Sequence, residues 1–258
     1  MQVVVVGGHT RNIGKTSVMS ALIREFATLG WTAVKITQYG HGVCSHDGHA
    51  CECAPREHPF AVTEERDPAT GSDTSRYLAA GARQSLWLRV REGQLGAAVP
   101  LLTRRLDCAP SVIIESNSIM EFIDPLLYLV VLDPSRADFK ASAGRWIRRA
   151  HALVPVENRT ASTDEARNGS SAVSGVQLGV RLGTEWGVKV GPDFGAGIEA
   201  EFFRSKPSFP VRPPEYSSLA LTAFVRERLA SPPDARAAAG FPPARAKRRS
   251  LVEETLPR

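Results

Sequence analysis

The residues best suited to chemistry lie near the N-terminus, in the run Gly14-Lys15-Thr16 that follows an apolar stretch over residues 3–6. The surrounding sequence matches the phosphate-loop pattern G-x-x-x-x-G-K-[ST] except at its first glycine, where His9 stands. Such a loop turns backbone N–H groups toward phosphate, and the helix that follows favours an anion at its N-terminus. The spacing therefore predicts a Walker A phosphate-binding loop.

The positions of this loop have predicted roles in binding a nucleoside triphosphate, either GTP or ATP. Lys15 is expected to reach the β- and γ-phosphates, and the Thr16 hydroxyl is placed to bind Mg²⁺. The alternative is a chance Gly-Lys-Thr sequence that only caps a helix, but the strand before it and the amphipathic helix after it favour nucleotide binding. The predicted nucleotide-binding residues are Thr10, Arg11, Asn12, Ile13, Gly14, Lys15, Thr16 and Ser17.

Two acidic residues stand at the ends of apolar strands and are candidates to hold Mg²⁺ or water. Ligands of open parallel sheets bind outside the carboxyl ends of the strands, where Glu115 ends Ser-Val-Ile-Ile-Glu and Asp133 ends Leu-Val-Val-Leu-Asp. Glu115 is the first choice and Asp133 the second. For each, the alternative is a carboxylate that caps the following turn.

Asn158 follows the last clear apolar strand, at residues 152–156, and is a candidate for contact with the nucleotide base. Base-recognition loops often place an Asn there, with its amide facing the purine edge. Ala161 stands where a guanine-specifying Asp would be expected. A plain turn is an equally good interpretation.

A loop rich in soft ligands follows the second predicted strand. Four cysteines are too few for a disulfide scaffold at this length, and three of them crowd into ten residues together with several histidines. The predicted set for a Zn²⁺ site is Cys44, His49, Cys51 and Cys53. The alternatives are an iron–sulfur cluster and a mobile surface loop with incidental thiols.

The bulk composition excludes several classes of protein. The chain has 258 residues, of which 43% are hydrophobic and 23% charged, so it can bury a full core. No window approaches a membrane span and the N-terminus lacks the basic region of a signal peptide, so we expect a cytoplasmic protein. The formal charge is +5, and most of it lies in residues 235–258, which makes nucleic-acid binding unlikely.

Strands and helices alternate along the first part of the chain, which predicts an α/β fold with a mostly parallel sheet covered by helices on both faces. A long loop is expected over residues 37–72, where periodicity is lost. The predicted strands cover residues 3–6, 32–36, 85–90, 111–115, 127–132 and 152–156. One helix is predicted to begin near residue 14, and further helices are predicted over residues 73–82, 92–105, 138–150 and 216–229.

The predicted organisation has three parts. Residues 1–158 form a P-loop nucleotide-binding domain, with a Cys/His-rich insertion at about 38–72. Residues 159–230 form a C-terminal extension, whose fold from 159 to 214 the sequence leaves open. Residues 231–258 are rich in Pro, Ala and Arg and are expected to form a disordered basic tail.

Several segments together resemble one family, the molybdopterin-guanine dinucleotide biosynthesis protein B (MobB-type) family of P-loop GTPases. Besides the phosphate loop, the resemblance rests on Lys-Ile-Thr-Gln-Tyr-Gly-His-Gly from Lys35, on Asp-Thr-Ser-Arg from Asp73, on Ala-Gly-Ala from Ala80, and on the strand ending in Glu115. It covers roughly residues 2 to 158.

The resemblance implies a GTP-binding homodimer that assists attachment of a nucleotide to molybdopterin, beside the nucleotidyltransferase that performs it. By this resemblance the phosphate role falls to Lys15 and Thr16, and Mg²⁺ coordination to Thr16 with Glu115 nearby. Asp73 takes a switch-like acidic position. Lys15, Asp73 and Glu115 are the predicted catalytic residues.

Hydrolysis is expected to be slow or stimulated by a partner, because the sequence assigns no Arg or Gln to the γ-phosphate apart from Arg11. Two other functions stay open. One is a small-molecule kinase, with residues 115–118 as its acceptor pocket. The other is a nucleotide-gated metal-binding adaptor or metallochaperone that uses the Cys/His loop.

Overall fold

The computed structural model describes residues 1–39, 59–136, 138–157 and 200–230. Its strands are β1 (Gln2–Gly8), β2 (Thr32–Tyr39), β3 (Phe60–Glu65), β4 (Gln84–Arg91), β5 (Ser111–Glu115), β6 (Leu127–Leu132) and β7 (Ala152–Pro155). Its helices are α1 (Lys15–Glu25), α2 (Asp73–Ala79), α3 (Leu95–Leu106), α4 (Ala141–Trp146), α5 (Ala200–Ser205) and α6 (Leu219–Ala230). Short 3-10 turns cover Ala27–Leu29, Ser118–Glu121 and Ile147–Arg149.

The described strands form one seven-stranded sheet in the order β3-β4-β2-β5-β1-β6-β7. All neighbouring pairs are parallel except β3 and β4, which are antiparallel. The first strand is therefore internal, with β5 on one side and β6 on the other. This arrangement confirms the predicted fold class.

Helices cover both faces of the sheet because successive strand residues point to opposite sides. In β1, Val3 and Val5 join a core with α3 and α5, whereas Val4 and Val6 join a second core with α1, α2 and α6. Buried strands with apolar side chains on both faces are typical of parallel sheets between helical layers. No helix within the described ranges is long and apolar enough to span a membrane.

The loop expected over residues 37–72 is wrong at its start and in its second half, while residues 66–72 have no helix or strand, as expected. The second strand continues to Tyr39, and Phe60–Glu65 forms β3, the antiparallel edge strand. Acidic residues such as Glu64 and Glu65 favour a polar loop when the sequence is considered alone. An edge strand is half-exposed, so it does not need the continuous apolar run that marks the central strands.

Several predicted helices are shorter than expected. The helix predicted over 73–82 ends at Ala79, and the helix predicted over 92–105 begins at Leu95. The helix predicted over 138–150 covers only Ala141–Trp146 and continues as a 3-10 turn. Helix ends fray into such turns, and hydrophobic periodicity does not locate them.

The described part of the C-terminal extension packs on the sheet. A segment over residues 207–211 runs parallel to β7, with bridges that pair Leu153 with Ser208 and Val156 with Val211. Phe203 of α5 lies in one core and Leu221 of α6 in the other, both almost fully buried. The division of the chain at residue 158 and the disordered tail remain predictions. Residues 158–199 and 231–258 lie outside the described residues.

Candidate functional site

The predicted phosphate loop connects β1 to α1 at the carboxyl edge of the sheet. Gly14 is the N-cap residue of α1, in a left-handed conformation with φ 89°, and no side chain caps this end of the helix. Asn12 also has a positive φ, 55°, within the left-handed region that Asn tolerates. The first N–H groups of an α-helix have no partner within the helix. An uncapped helix start beneath a tight loop is therefore open to an anion.

Asn117 fixes the beginning of this loop. Its side-chain oxygen accepts a hydrogen bond from Gly8 N at 2.9 Å, and its Nδ2 donates to Gly8 O at 2.8 Å. The hydroxyl of Tyr128 donates to the same Asn117 oxygen. A Cβ on Gly7 would stand 2.2 Å from that oxygen, so a glycine is required there. The strand end is thus clamped where the chain turns into the loop.

Lys15 folds back over the loop that it follows. Its Nζ donates to the carbonyl oxygen of Thr10 at 2.8 Å. The pKa of Lys15 is lowered by burial, which Glu115 only partly offsets. Lys15, Arg11 and Lys140 together make a positive region around the loop, and the backbone N of Lys140 donates to His9 O at 2.8 Å. Burial, and then Lys15 and Arg11, lower the pKa of Lys140 to about 8.

Thr16 and Glu115 come together as the sequence predicts. The Thr16 hydroxyl donates to Glu115 Oε2 at 2.9 Å, and the hydroxyl of Tyr77 donates to the same oxygen. Burial, followed by the charge of Glu115, raises the pKa of Tyr77 well above its ordinary value, so the phenol remains a proton donor. Glu115 is only 7% exposed. A hydroxyl and a carboxylate held side by side are oxygen donors of the kind that Mg²⁺ binds.

Lys35 and Asp73 complete the cluster that we call the carboxylate flank: Thr16, Lys35, Asp73 and Glu115. The Lys35 ammonium is hydrogen-bonded to Asp73 and lies 3.6 Å from Glu115 Oε1. Burial alone would lower the pKa of Lys35, but the two carboxylates outweigh it and raise that pKa. Burial alone would raise the pKa of Asp73, but the charge and hydrogen bond of Lys35, with Thr16 and Arg76, outweigh it and lower that pKa.

The second helix brings Asp73 to the site. Ser72 caps α2 by accepting a hydrogen bond from Ser75 N at 3.0 Å, which places Asp73 in the first turn. One turn later, Arg76 donates to the Ser17 hydroxyl at 2.9 Å and lies 3.7 Å from Asp73. Helix α2 is therefore tied directly to the first turn of α1.

The remaining loop residues differ in what they offer. The Thr10 hydroxyl is bonded to Asp138, a contact that lowers the pKa of that carboxyl. The Ile13 side chain is buried in the core with α1, so only its backbone faces the loop interior. Arg11 and Asn12 are exposed. The Arg11 carbonyl accepts a hydrogen bond from Arg136 at 2.6 Å.

Asp133 is used locally, as its capping alternative describes. Its Oδ1 accepts from Ser135 N at 3.0 Å and from the Ser135 hydroxyl at 2.6 Å, which closes the turn after β6. Asn158 and the proposed zinc ligands Cys44, His49, Cys51 and Cys53 lie outside the described residues. Over the ranges that are described, no three His, Cys, Asp or Glu side chains are grouped as a metal site.

Sequence reasoning gave no place in the nucleotide site to five residues: Lys35, Arg76, Tyr77, Asn117 and Lys140. Lys35 and Arg76 stand only in the motifs of the family resemblance, and Asn117 only in the alternative acceptor pocket. Lys35 had a readable signal, because a charged residue near the end of a buried strand points to the functional edge of the sheet. Asn117 and Tyr77 act through contacts with Gly8 and Glu115, which lie far away in sequence. Spacing along the chain does not reveal such contacts.

No protein-family profile matches the chain. No curated protein matches it either. Among solved structures, the chain is similar to the crystal structure of HypB from Helicobacter pylori in complex with nickel, with 16% sequence identity and a TM-score of 0.41, covering 88% of this chain and 86% of that one. The fold class rests on the strand order and the loop between β1 and α1 described above.

Proposed function

We propose that this chain binds a purine nucleoside triphosphate with Mg²⁺ in the loop between β1 and α1. The observation that carries the proposal is the hydrogen bond from Thr16 to Glu115. Thr16 and Lys15 lie in the first turn of α1, whose N-terminus has no side-chain cap. The loop amides of residues 10–17 cradle the phosphates. Lys15 exchanges its bond to the Thr10 carbonyl for the β- and γ-phosphates.

Thr16, Glu115 and Asp73 supply the oxygen atoms that fit the metal. When bound, Mg²⁺ neutralises charge that develops on the transferred phosphoryl group. Lys35 stands between the two carboxylates and balances their charge. Asp73 is the switch-like residue, because it begins α2 and contacts both Lys35 and Arg76.

Intrinsic hydrolysis is slow, and a partner stimulates it. Catalysis at a γ-phosphate needs a group that orients water and a cation that stabilises the transition state. Among the described residues, Arg76 is committed to Ser17 and Asp73, and Gln38 accepts a hydrogen bond from Ser118. Arg11 is exposed at the loop tip, where a partner can reposition it.

The cellular role that we propose is assistance in building molybdopterin guanine dinucleotide. It rests on the resemblance of the motifs around Lys15, Lys35, Asp73 and Glu115 to the MobB-type family. That role makes GTP the nucleotide, a homodimer the working form, and a molybdopterin nucleotidyltransferase the partner. The test is to measure binding of the purified full chain to that transferase from the same organism. The two proteins should bind each other in the presence of GTP and not in the presence of GDP.

Nucleotide binding is tested by thermal shift with GTP, ATP and their diphosphates in the presence of Mg²⁺. Bound nucleotide should raise the unfolding midpoint of the wild type in proportion to the logarithm of its concentration. Lys15→Ala should remove most of that shift. Arg24→Ala, an exposed residue in the last turn of the same helix, is the matched charge control and should keep it. A wild type that no nucleotide stabilises would contradict the proposal.

A specific observation favours the kinase as a second candidate. A cleft of about 330 Å³ opens beside Ser118, lined by Gln38, Phe122, Arg145 and Trp146 among others. Of residues 115–118, which the kinase alternative proposes as an acceptor pocket, Ser118 lines this cleft. Transfer of the γ-phosphate from labelled nucleotide to a small molecule, rather than to water, would favour this function.

The metal-binding adaptor remains the third proposal. It depends on Cys44, His49, Cys51 and Cys53, so its test is the metal content of the purified protein. Zinc at one equivalent in the wild type and its loss in Cys51→Ser would support it. Nucleotide binding should be tested in the same samples, since the adaptor requires that metal and nucleotide influence each other.

A further inference from the structure

The carboxylate flank fixes the direction in which a bound nucleotide lies. In a phosphate loop the lysine and the metal-binding hydroxyl serve the β- and γ-phosphates, while helix amides hold the α- and β-phosphates. Here the metal-binding side faces β5 and β2, through Glu115 and Lys35. The sugar and base should therefore extend to the opposite side of β1, where β6 and β7 lie.

An aromatic ring stands on that opposite side. A Cβ built on Gly14 would be 2.6 Å from Tyr216 Cε1 and 3.1 Å from Cδ1, so the ring lies directly against the Gly14 backbone. The Tyr216 side chain is half-buried and packs against the core that includes α1. One residue of the C-terminal extension thus touches the phosphate loop at its helix start.

The segment before Tyr216 is held by main-chain hydrogen bonds to β7. Phe209 N donates to Leu153 O at 2.9 Å, and Val211 N donates to Pro155 O at 2.8 Å. Because the segment is parallel to β7, it ends at the same edge of the sheet as the phosphate loop. The turn that we call the tyrosine flank, residues 212–216, is therefore delivered to this edge.

The two ends of the tyrosine flank are fixed. Arg212 Nε donates to Glu157 Oε2 at 2.7 Å, and Tyr216 N donates to Arg212 O at 2.8 Å. After the turn, α6 is anchored by Leu221 and Val225, each 1% exposed in the core with α1. Tyr216 itself has φ 51°, a left-handed conformation that is uncommon for a bulky side chain. The ring is thus placed by structure on both sides of it.

We propose that Tyr216 forms one wall of a nucleobase site, against which the base of the bound nucleotide stacks. The inference rests on the proposed nucleotide binding and adds to it the residue that recognises the base end. Stacking is available to any flat heteroaromatic base, because every base has a π face. This wall therefore strengthens binding of GTP and ATP alike over a ligand that has phosphates only.

The test compares nucleotides with inorganic tripolyphosphate, which has the phosphates without sugar or base. Titration calorimetry of the full chain would use Mg²⁺ with GTP, ATP and tripolyphosphate in turn. Tyr216→Asn is the informative variant, because Asn tolerates a left-handed backbone while lacking the ring. Tyr216→Phe retains the ring and is the matched control.

We expect Tyr216→Asn to reduce the affinity for GTP and for ATP by about tenfold. Its affinity for tripolyphosphate should equal that of the wild type, and Tyr216→Phe should behave as wild type with all three ligands. An equal loss for nucleotide and tripolyphosphate would overturn the inference, since Tyr216 would then only shape the loop. Unchanged nucleotide affinity in Tyr216→Asn would also overturn it.

The two proposals fail in different ways. If the wild type binds GTP or ATP and Tyr216→Asn binds them equally well, the nucleobase wall is overturned and nucleotide binding stands. A wild type that binds neither GTP nor ATP overturns both proposals, even if it binds tripolyphosphate. Urea unfolding of Tyr216→Asn without ligand confirms that the variant used is folded.

Discussion

The two flanks of the phosphate loop are built in different ways. The carboxylate flank joins side chains from α1, α2, β2 and β5 through buried, charge-assisted contacts. The tyrosine flank has a single ring and an ion pair between Glu157 and Arg212, whose Arg212 side chain is 66% exposed. Charged groups that are buried and hydrogen-bonded hold geometry, while exposed pairs contribute little. The proposed phosphate end of the site is thus fixed by polar contacts before ligand arrives, and the proposed base end is held mainly by packing.

The largest effect is expected on the carboxylate flank. Glu115→Ala leaves the buried hydroxyls of Thr16 and Tyr77 without their acceptor, and leaves Lys35 with Asp73 as its remaining carboxylate partner. We expect the free energy of unfolding to fall by about 2–5 kcal/mol, because two buried hydroxyls lose their acceptor at about 1–3 kcal/mol each. Urea unfolding of the ligand-free protein measures it.

The control for that variant is Glu121→Ala. Glu121 pairs with Arg145 at 3.7 Å, but both side chains are at least half exposed. This change should cost less than about 1 kcal/mol. Equal losses for the two variants would show that the carboxylate flank is no more rigid than an ordinary surface, and would remove the contrast between the flanks.

Gly14 lies where the two flanks meet, and its replacement tests both. Gly14→Ala must adopt φ 89° and place a Cβ 2.6 Å from the Tyr216 ring. The left-handed conformation alone costs about 1–3 kcal/mol for a residue other than glycine. Adding Tyr216→Asn should restore the part of the loss that comes from the ring. A double variant no more stable than Gly14→Ala would show that the ring does not press on the loop.

The pH dependence of phosphate binding tests the contribution of Lys140, which belongs to neither flank. In the folded chain the pKa of Lys140 is about 8, against an ordinary value of 10.5. Between these values the unfolded chain holds more protons, so this group makes folding more favourable as pH rises. A bound polyphosphate restores the proton, so affinity should decline as pH rises through 8. Titration below and above pH 8 should show a weaker decline in Lys140→Met.

The smallest effect is expected for the ion pair of the tyrosine flank. Arg212→Ala removes a partner of Glu157 that is mostly in solvent, and should cost at most about 1 kcal/mol. A double-mutant cycle with Glu157→Gln isolates the pair. A coupling as large as the loss in Glu115→Ala would mean that the base end is as firmly fixed as the phosphate end.

Sequence reasoning found Thr16 and Glu115 of the carboxylate flank because both have local signals. Gly14, Lys15 and Thr16 form one motif, and Glu115 ends a strand of buried residues. The parallel sheet then requires these strand ends to meet at one edge. The central strands were predictable for the same reason, since their apolar runs are continuous.

The tyrosine flank has no such signal. Tyr216 follows a run of prolines 200 residues after Thr16, and no periodicity relates the two. Its position depends on main-chain bonds between residues 207–211 and β7, and a backbone contact leaves no trace in residue type. The edge strand β3 was missed for a related reason, because half-exposed strands tolerate polar residues.

Among the described residues, the segment over 207–211 is the outermost extended chain on the β7 side of the sheet. Residues 207, 209 and 211 direct their main-chain polar groups toward β7, so residues 208 and 210 point theirs outward. Pro210 has no N–H to offer there, and proline on an outer strand prevents another chain from pairing with it. Pro210 thus disfavours pairing of a further strand with this segment. If two copies assemble, we expect side-chain surfaces rather than this edge to join them.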